Sequence, residues 1–282
     1  MSDVTARLAL ESIIRNVTPN ADARAAAARH RASIEEWLKA DVGIIRMRET
    51  GSWHHGTATN ISSDVDYFVT MPGLKPTFSS NALETLRSSL SRGISGCAVT
   101  VDRPAVRLSY FDGGPAVEIT PAFYQDADDY DIPDPDGIGW IRSNPAIHLE
   151  YVNEAQRATD GRAKGLIRLL KTWKAANNVP LSSFYLEMRT AQYAAGNAPI
   201  IYDWDLRDLF KSLNNNGLRE MNDPTDYGRR ITTGAGSAAE SAVAAMAVDK
   251  AARLATLARA ATEAEDHSVA VAHVLSLFNV AR

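Results

Sequence analysis

Gly51-Ser52-Trp53-His54-His55-Gly56-Thr57-Ala58-Thr59-Asn60-Ile61-Ser62-Ser63-Asp64-Val65-Asp66-Tyr67-Phe68-Val69 is the stretch that decides the fold of this chain. A glycine-serine turn can set backbone N–H groups and a hydroxyl against a triphosphate. Asp64 and Asp66 stand at i and i+2 of a predicted strand, so both carboxylates point to one face. Two hard carboxylates side by side suit magnesium, which takes oxygen ligands and leaves positions open for substrate phosphates. Either piece alone is common. Asp-x-Asp also occurs on solvated strand faces, and Gly-Ser occurs in ordinary loops. The joint spacing of strand, Gly-Ser, helix-sized gap and Asp-Val-Asp predicts a metal-dependent nucleotidyltransferase.

Two-metal nucleotidyl transfer needs a further carboxylate from a neighbouring strand. Glu118, in Val117-Glu118-Ile119-Thr120-Pro121-Ala122-Phe123, is the candidate. It follows the Asp112-Gly113-Gly114 turn of a predicted hairpin. A glutamate between valine and isoleucine is otherwise a solvent-facing residue of a half-buried strand. Asp102 and Asp112 are rivals, at strand ends and without the following Pro-Ala-Phe.

Around this centre the chain reads as a mixed α/β half followed by a helical half. Helices are predicted over 4–16, 20–38 and 81–91, with Asn20 or Asp22 capping the second. Strands are predicted over 42–47, 64–70, 98–101, 105–110 and 116–119. The acidic, proline-rich stretch 126–139 reads as a surface loop. Beyond Asn144, helices are expected over 146–159, 161–177, 182–195, 204–214, 237–264 and 267–280, with a polar stretch at 222–236. The domain reading is a nucleotidyltransferase core with the N-terminal helices over 1–143 and a helical domain over 144–282.

In the helix over 161–177, Lys164, Arg168 and Lys171 trace a basic stripe. Such a stripe is usually a solvated face. Here Leu181-Ser182-Ser183-Phe184-Tyr185 follows at once, so a lysine, a hydroxyl and a ring are available for phosphates and a base. His54 and His55 are adjacent and diverge on a helix, which favours structural roles over metal ligation. Arg142 either reaches a phosphate or closes the loop before it.

Composition bounds these readings. The 282 residues are 45% hydrophobic and 23% charged, as in an ordinary globular protein. The net charge of −4 argues against an extended nucleic-acid surface. Cys97 is the only cysteine, which excludes an internal disulfide. No signal peptide and no membrane-spanning run is read, and a cytoplasmic protein is expected.

The chain resembles the cGAS/DncV-like nucleotidyltransferases, bacterial relatives of cyclic GMP-AMP synthase in the polymerase-beta superfamily. The resemblance rests on Gly51-Ser52, Asp64-Val65-Asp66, Val117 to Phe123, Ser143-Asn144-Pro145, Leu169-Leu170-Lys171-Thr172-Trp173-Lys174, Leu181-Ser182-Ser183-Phe184 and Asn222-Asp223-Pro224. It implies an α+β fold: a polymerase-beta-like core with a mixed or antiparallel sheet, a C-terminal helical domain, and a bilobed cage with the active site between lobes. It implies that Asp64, Asp66 and Glu118 bind two magnesium ions, with manganese as a substitute. It also implies that Gly51, Ser52, Lys171 and Ser183 hold the donor triphosphate and that Phe184 lies near a base. The function implied is a cyclic di- or trinucleotide synthase of antiphage defence. Its substrates would be ATP or other NTPs, and its product would act on a separate effector protein. Glu118 departs from the aspartate of many relatives. The last residues, Asn279-Val280-Ala281-Arg282, carry no terminal glycine of the kind some relatives conjugate to a target. Alternatives are a nucleotidyltransferase with a non-nucleotide or RNA acceptor, and a nucleotide-binding module weakened by Glu118.

Overall fold

The structure, a computed structural model, describes residues 4–62 and 64–280. Ala281 and Arg282 of the terminal segment therefore lie outside the described residues. Two compact units emerge: one of residues Pro19–Leu149, the other of residues up to Thr18 together with those from Glu150 onward.

The first unit is built on a mixed sheet. Its strands are β1 (Arg46–Thr50), β2 (Val65–Thr70), β3 (Cys97–Asp102), β4 (Ala105–Tyr110), β5 (Val117–Tyr124), β6 (Tyr130–Pro133) and β7 (Trp140–Ser143). The order is β1-β2-β5-β4-β3, with β6 on the far end of β5 and β7 on β6. Only β2 and β5 run parallel; the other pairs are antiparallel. The chain reaches β5 from β2 through helix α4 (Ser79–Gly93) and the β3–β4 hairpin.

Side-chain alternation divides the faces of this sheet. Val65, Tyr67, Val69, Val106, Leu108, Val117 and Ile119 are buried in one core. Ile34 and Leu38 of helix α2 (Ala21–Asp41) and Leu83, Leu86 and Leu90 of α4 cover them. Asp66, Arg107 and Glu118 therefore point the other way. Asn20 caps α2, its side chain accepting from the Ala23 N–H at 2.9 Å.

Two predicted elements are corrected here. The strand expected over 42–47 starts at Arg46, because Val42 still donates to the Leu38 carbonyl as the C-cap of α2. The loop expected over 126–139 contains β6. Tyr130 and Ile132 are buried there, while Asp131 is half-exposed.

The second unit is helical: α1 (Ala6–Val17), most of α5 (Pro145–Ala158), α6 (Ala163–Ala176), α7 (Ser183–Gly196), α8 (Tyr202–Asn215), α9 (Ala238–Glu263) and α10 (His267–Leu277). The polar stretch expected over 222–236 carries the short pair β8 (Met221–Asn222) and β9 (Arg230–Ile231). The expected placement of α1 with the core is corrected. Ala6 and Leu10 are fully buried in the helical cluster, with Ile13 and Ile14 packed against it. The division between the units falls inside α5 rather than before Asn144. No helix among the described residues is long and apolar enough to cross a membrane.

Candidate functional site

Gly51 turns the chain from β1 into α3 (Gly51–His55) with φ +61°, a conformation that favours glycine. A Cβ there would lie 2.1 Å from Asp66 Oδ2, so the backbone and that carboxylate share one space. Half-buried Ser52 follows, and its carbonyl accepts from the Thr57 N–H at 2.9 Å. Gly56 ends α3 in the left-handed region. The helix-sized gap read from the sequence is thus a real one-turn helix that presses the Gly-Ser turn onto β2. His55 is buried and His54 half-buried within it, with ring centroids 6.4 Å apart.

Strand register aligns the acidic residues. Asp66 on β2 is in register with Glu118 on β5, and Glu118 with Arg107 on β4. Asp64 stands two residues before Asp66 and shares its face. The guanidinium of Arg107 bridges this row. Its Nη1 donates to Asp64 Oδ2 and, at 2.9 Å, to Glu118 Oε1, and its Nη2 donates to Asp64 Oδ1 at 2.8 Å. Burial, and then the charge of Asp64, push the Glu118 carboxyl up to about 7 against the pull of Arg107. A buried carboxyl beside a like charge behaves in this way. The rivals lie elsewhere. Asp102 is exposed at the end of edge strand β3. Asp112 is exposed in the β4–β5 turn, 3.0 Å from His30 Nε2.

The donor set fits a hard divalent cation. Asp64, Asp66 and Glu118 offer only oxygen, and Arg107 already stands as a cation between two of them. Among the described residues no three acidic, imidazole or thiol groups close into a ready metal cluster. A cavity of about 670 Å³ opens beside Asp64 and Arg107, lined also by Trp53, Asn60, Asp112 and Pro115.

The helical unit holds the remaining predicted residues, and here one expectation changes. Lys171, expected to hold the donor triphosphate, lies inside the helical core and not on an accessible basic stripe. It is 3% exposed and ion-paired with Glu187 of α7, itself 2% exposed. Every residue from Leu169 to Trp173 is buried, so this part of α6 has no solvent face. Lys174, one turn on, donates to Ser183 Oγ at 2.9 Å. Burial first, then the charge of Lys171, holds the Lys174 ammonium below its ordinary value. Sequence reasoning passed over Lys174 because it sits beside Trp173 at the edge of the apolar face. Its nine-residue separation from Ser183 across the α6–α7 turn was the available signal. Ser182 caps α7, accepting from the Tyr185 N–H, and Phe184 is 36% exposed in its first turn. Arg142 faces acidic neighbours, 3.9 Å from Asp129 and 4.0 Å from Asp131, which matches the loop-closing alternative.

Residues 4–155 match the Second Messenger Oligonucleotide or Dinucleotide Synthetase domain. No curated protein sequence matches the chain. Several solved structures share its fold. Escherichia coli MS115-1 CdnC with ATP superposes with a TM-score of 0.77 at 19% identity, covering 96% of each chain. Bradyrhizobium diazoefficiens CdnG, a CD-NTase in complex with GTP, gives 0.74 at 13% identity, covering 97% of this chain and 98% of its own. Vibrio cholerae DncV cyclic AMP-GMP synthase, in complex with the linear intermediate 5′ pppA(3′,5′)pG, gives 0.66 at 14% identity, covering 97% and 86%.

Proposed function

The chain belongs to the second messenger oligonucleotide or dinucleotide synthetase family, the cGAS/DncV-like nucleotidyltransferases, and from that premise we propose that it joins NTPs into a cyclic di- or trinucleotide. The observation that carries this reading is the row Asp66–Glu118–Arg107, with Asp64 on the same face beside the Gly51 turn. A lone acidic strand face has no need of a second strand's carboxylate in register, nor of a glycine beneath it.

Asp64, Asp66 and Glu118 would hold magnesium, or manganese in its place. The bound ions supply charge stabilisation to the entering and leaving oxygens of phosphoryl transfer. Gly51 leaves the Asp66 carboxylate room to turn toward the sheet face, and Ser52 offers a hydroxyl beside it. Glu118 accepts the proton of the attacking ribose hydroxyl at a carboxylate oxygen. The hydroxyl oxygen bonds to the α-phosphorus of a second NTP, and pyrophosphate leaves. Lys174 and Ser183 hold phosphate oxygens of the donor through charge-assisted contacts. Lys171 and Glu187 fix α6 against α7 and so set the position of Lys174. Phe184 offers an exposed ring to a base. Ring closure repeats the chemistry on the linear intermediate, the species present in the Vibrio cholerae DncV complex. The product would act on a separate effector protein in antiphage defence.

The test is incubation of the pure protein with labelled NTPs and magnesium. A phosphatase-resistant cyclic product, with release of pyrophosphate, is expected. Label on a non-nucleotide acceptor, or NTP binding without pyrophosphate release, would overturn the reading.

A further inference from the structure

The side-chain contacts of Arg107 lie within the acidic row, and its geometry is that of an occupant. Both oxygens of Asp64 are engaged by its planar fork, and Glu118 takes a third bond from the same guanidinium. Strand β4 lies between β3 and β5, so the Arg107 backbone is fixed by pairing on both sides. Only its side chain is left to move. A hard cation bound by Asp64 competes with this fork for both of its oxygens, and at such range it repels the guanidinium. The two therefore compete at Asp64.

We propose that Arg107 competes with a divalent cation for Asp64 and Glu118, so that its fork must leave Asp64 before a cation takes both carboxylates. The proposal rests on the reading that these carboxylates are metal ligands. It makes Arg107 a positioning residue: it offsets two like charges on one face, and it sets the concentration of metal at which the site loads.

Competition of this kind lowers the apparent affinity for metal by the fraction of molecules whose fork is open. The experiment is Mn²⁺ titration followed by electron paramagnetic resonance, without nucleotide, alongside thermal melting of the same samples. If the fork is closed in about nine-tenths of wild-type molecules, Arg107→Gln binds Mn²⁺ about tenfold more tightly. The metal-free variant melts below wild type, and Mn²⁺ raises its melting temperature by more. Arg107→Lys keeps the charge but loses the planar fork, so its affinity should fall between the two. This variant also carries the test if Arg107→Gln fails to fold. Equal Mn²⁺ affinity in wild type and Arg107→Gln would overturn the proposal while leaving the metal site standing. Arg107→Lys equal to wild type would overturn it as well, since only nearby charge would then matter. Absence of Mn²⁺ binding in all three proteins would remove the metal reading and this proposal together.

Discussion

Gly51 and Glu118 show what single residues do in this site. The Gly51 backbone sits at positive φ, where a side chain costs about 1–2 kcal/mol. The larger effect is local, because the new Cβ would occupy the space of the Asp66 carboxylate. Gly51→Ala should therefore lower product formation by about 10²-fold, the loss that a misplacement of about 1 Å brings. Its melting temperature should fall only slightly. An active Gly51→Ala protein would show that Asp66 has another place to go. For Glu118, Gln keeps shape and removes charge, so Glu118→Gln should lose synthesis while still binding NTP. Glu118→Asp keeps the charge and should retain part of the rate. Near-wild-type rates in both variants would take the third carboxylate role from Glu118. The Gly-Ser turn and the acidic pair were legible because both are local in sequence. That Glu118 stands beside Asp66 depends on a parallel register across a long crossover, and a hairpin pattern could only suggest it. Arg107 gave no signal, because its partners lie on other strands.

Helix α6 limits what periodicity can tell. Leu166, Ile167, Leu170 and Trp173 form its buried apolar face, and in the sequence the basic residues between look like the solvated half of an amphipathic helix. At the centre of a helical unit there is no solvated half, and a buried charge must find a partner. Lys171 finds Glu187. Lys171→Ala should thus act on stability, by about 3–5 kcal/mol, because it takes the ammonium partner from a buried carboxylate. Lys171→Met with Glu187→Leu removes both charges and should recover most of the loss in a melting experiment. Lys174→Ala should leave the melting temperature nearly unchanged and raise KM for NTP more than it lowers kcat. If Lys174→Ala instead leaves KM untouched, its bond to Ser183 is structural. Strand β6 escaped sequence reading for a different reason. Tyr130-Asp131-Ile132-Pro133 alternates over too few residues to stand out from its acidic, proline-rich surroundings. Proline is tolerated at that strand's end, where no ladder N–H is required of it.

Across the whole molecule, α1 is the element whose role the sequence left open. Its apolar residues Leu8, Leu10, Ile13 and Ile14 mark a helix but not what it packs against, and Leu8 turns out 42% exposed. Sequence proximity assigned it to the core with α2, and the structure packs it on α6, α8 and α10. The unit that contains α1 therefore joins two distant stretches of chain, and its core includes Leu10 with no exposed surface. Leu10→Ala removes part of that core and leaves a cavity, at a cost of about 2–5 kcal/mol. The loss should open the unit that holds Leu10 first, since local opening follows local packing. Hydrogen exchange measured on the intact protein reads this directly. Amides of α1, α6, α8 and α10 should exchange faster in Leu10→Ala, while those of β2 and β5, in a core that Leu10 does not enter, should keep their protection. Leu86→Ala in α4 supplies the reciprocal case, because Leu86 is buried only in the sheet core. If Leu10→Ala deprotects β2 and β5 as strongly as α6, the N-terminal helix stabilises the sheet after all, and the two cores unfold as one.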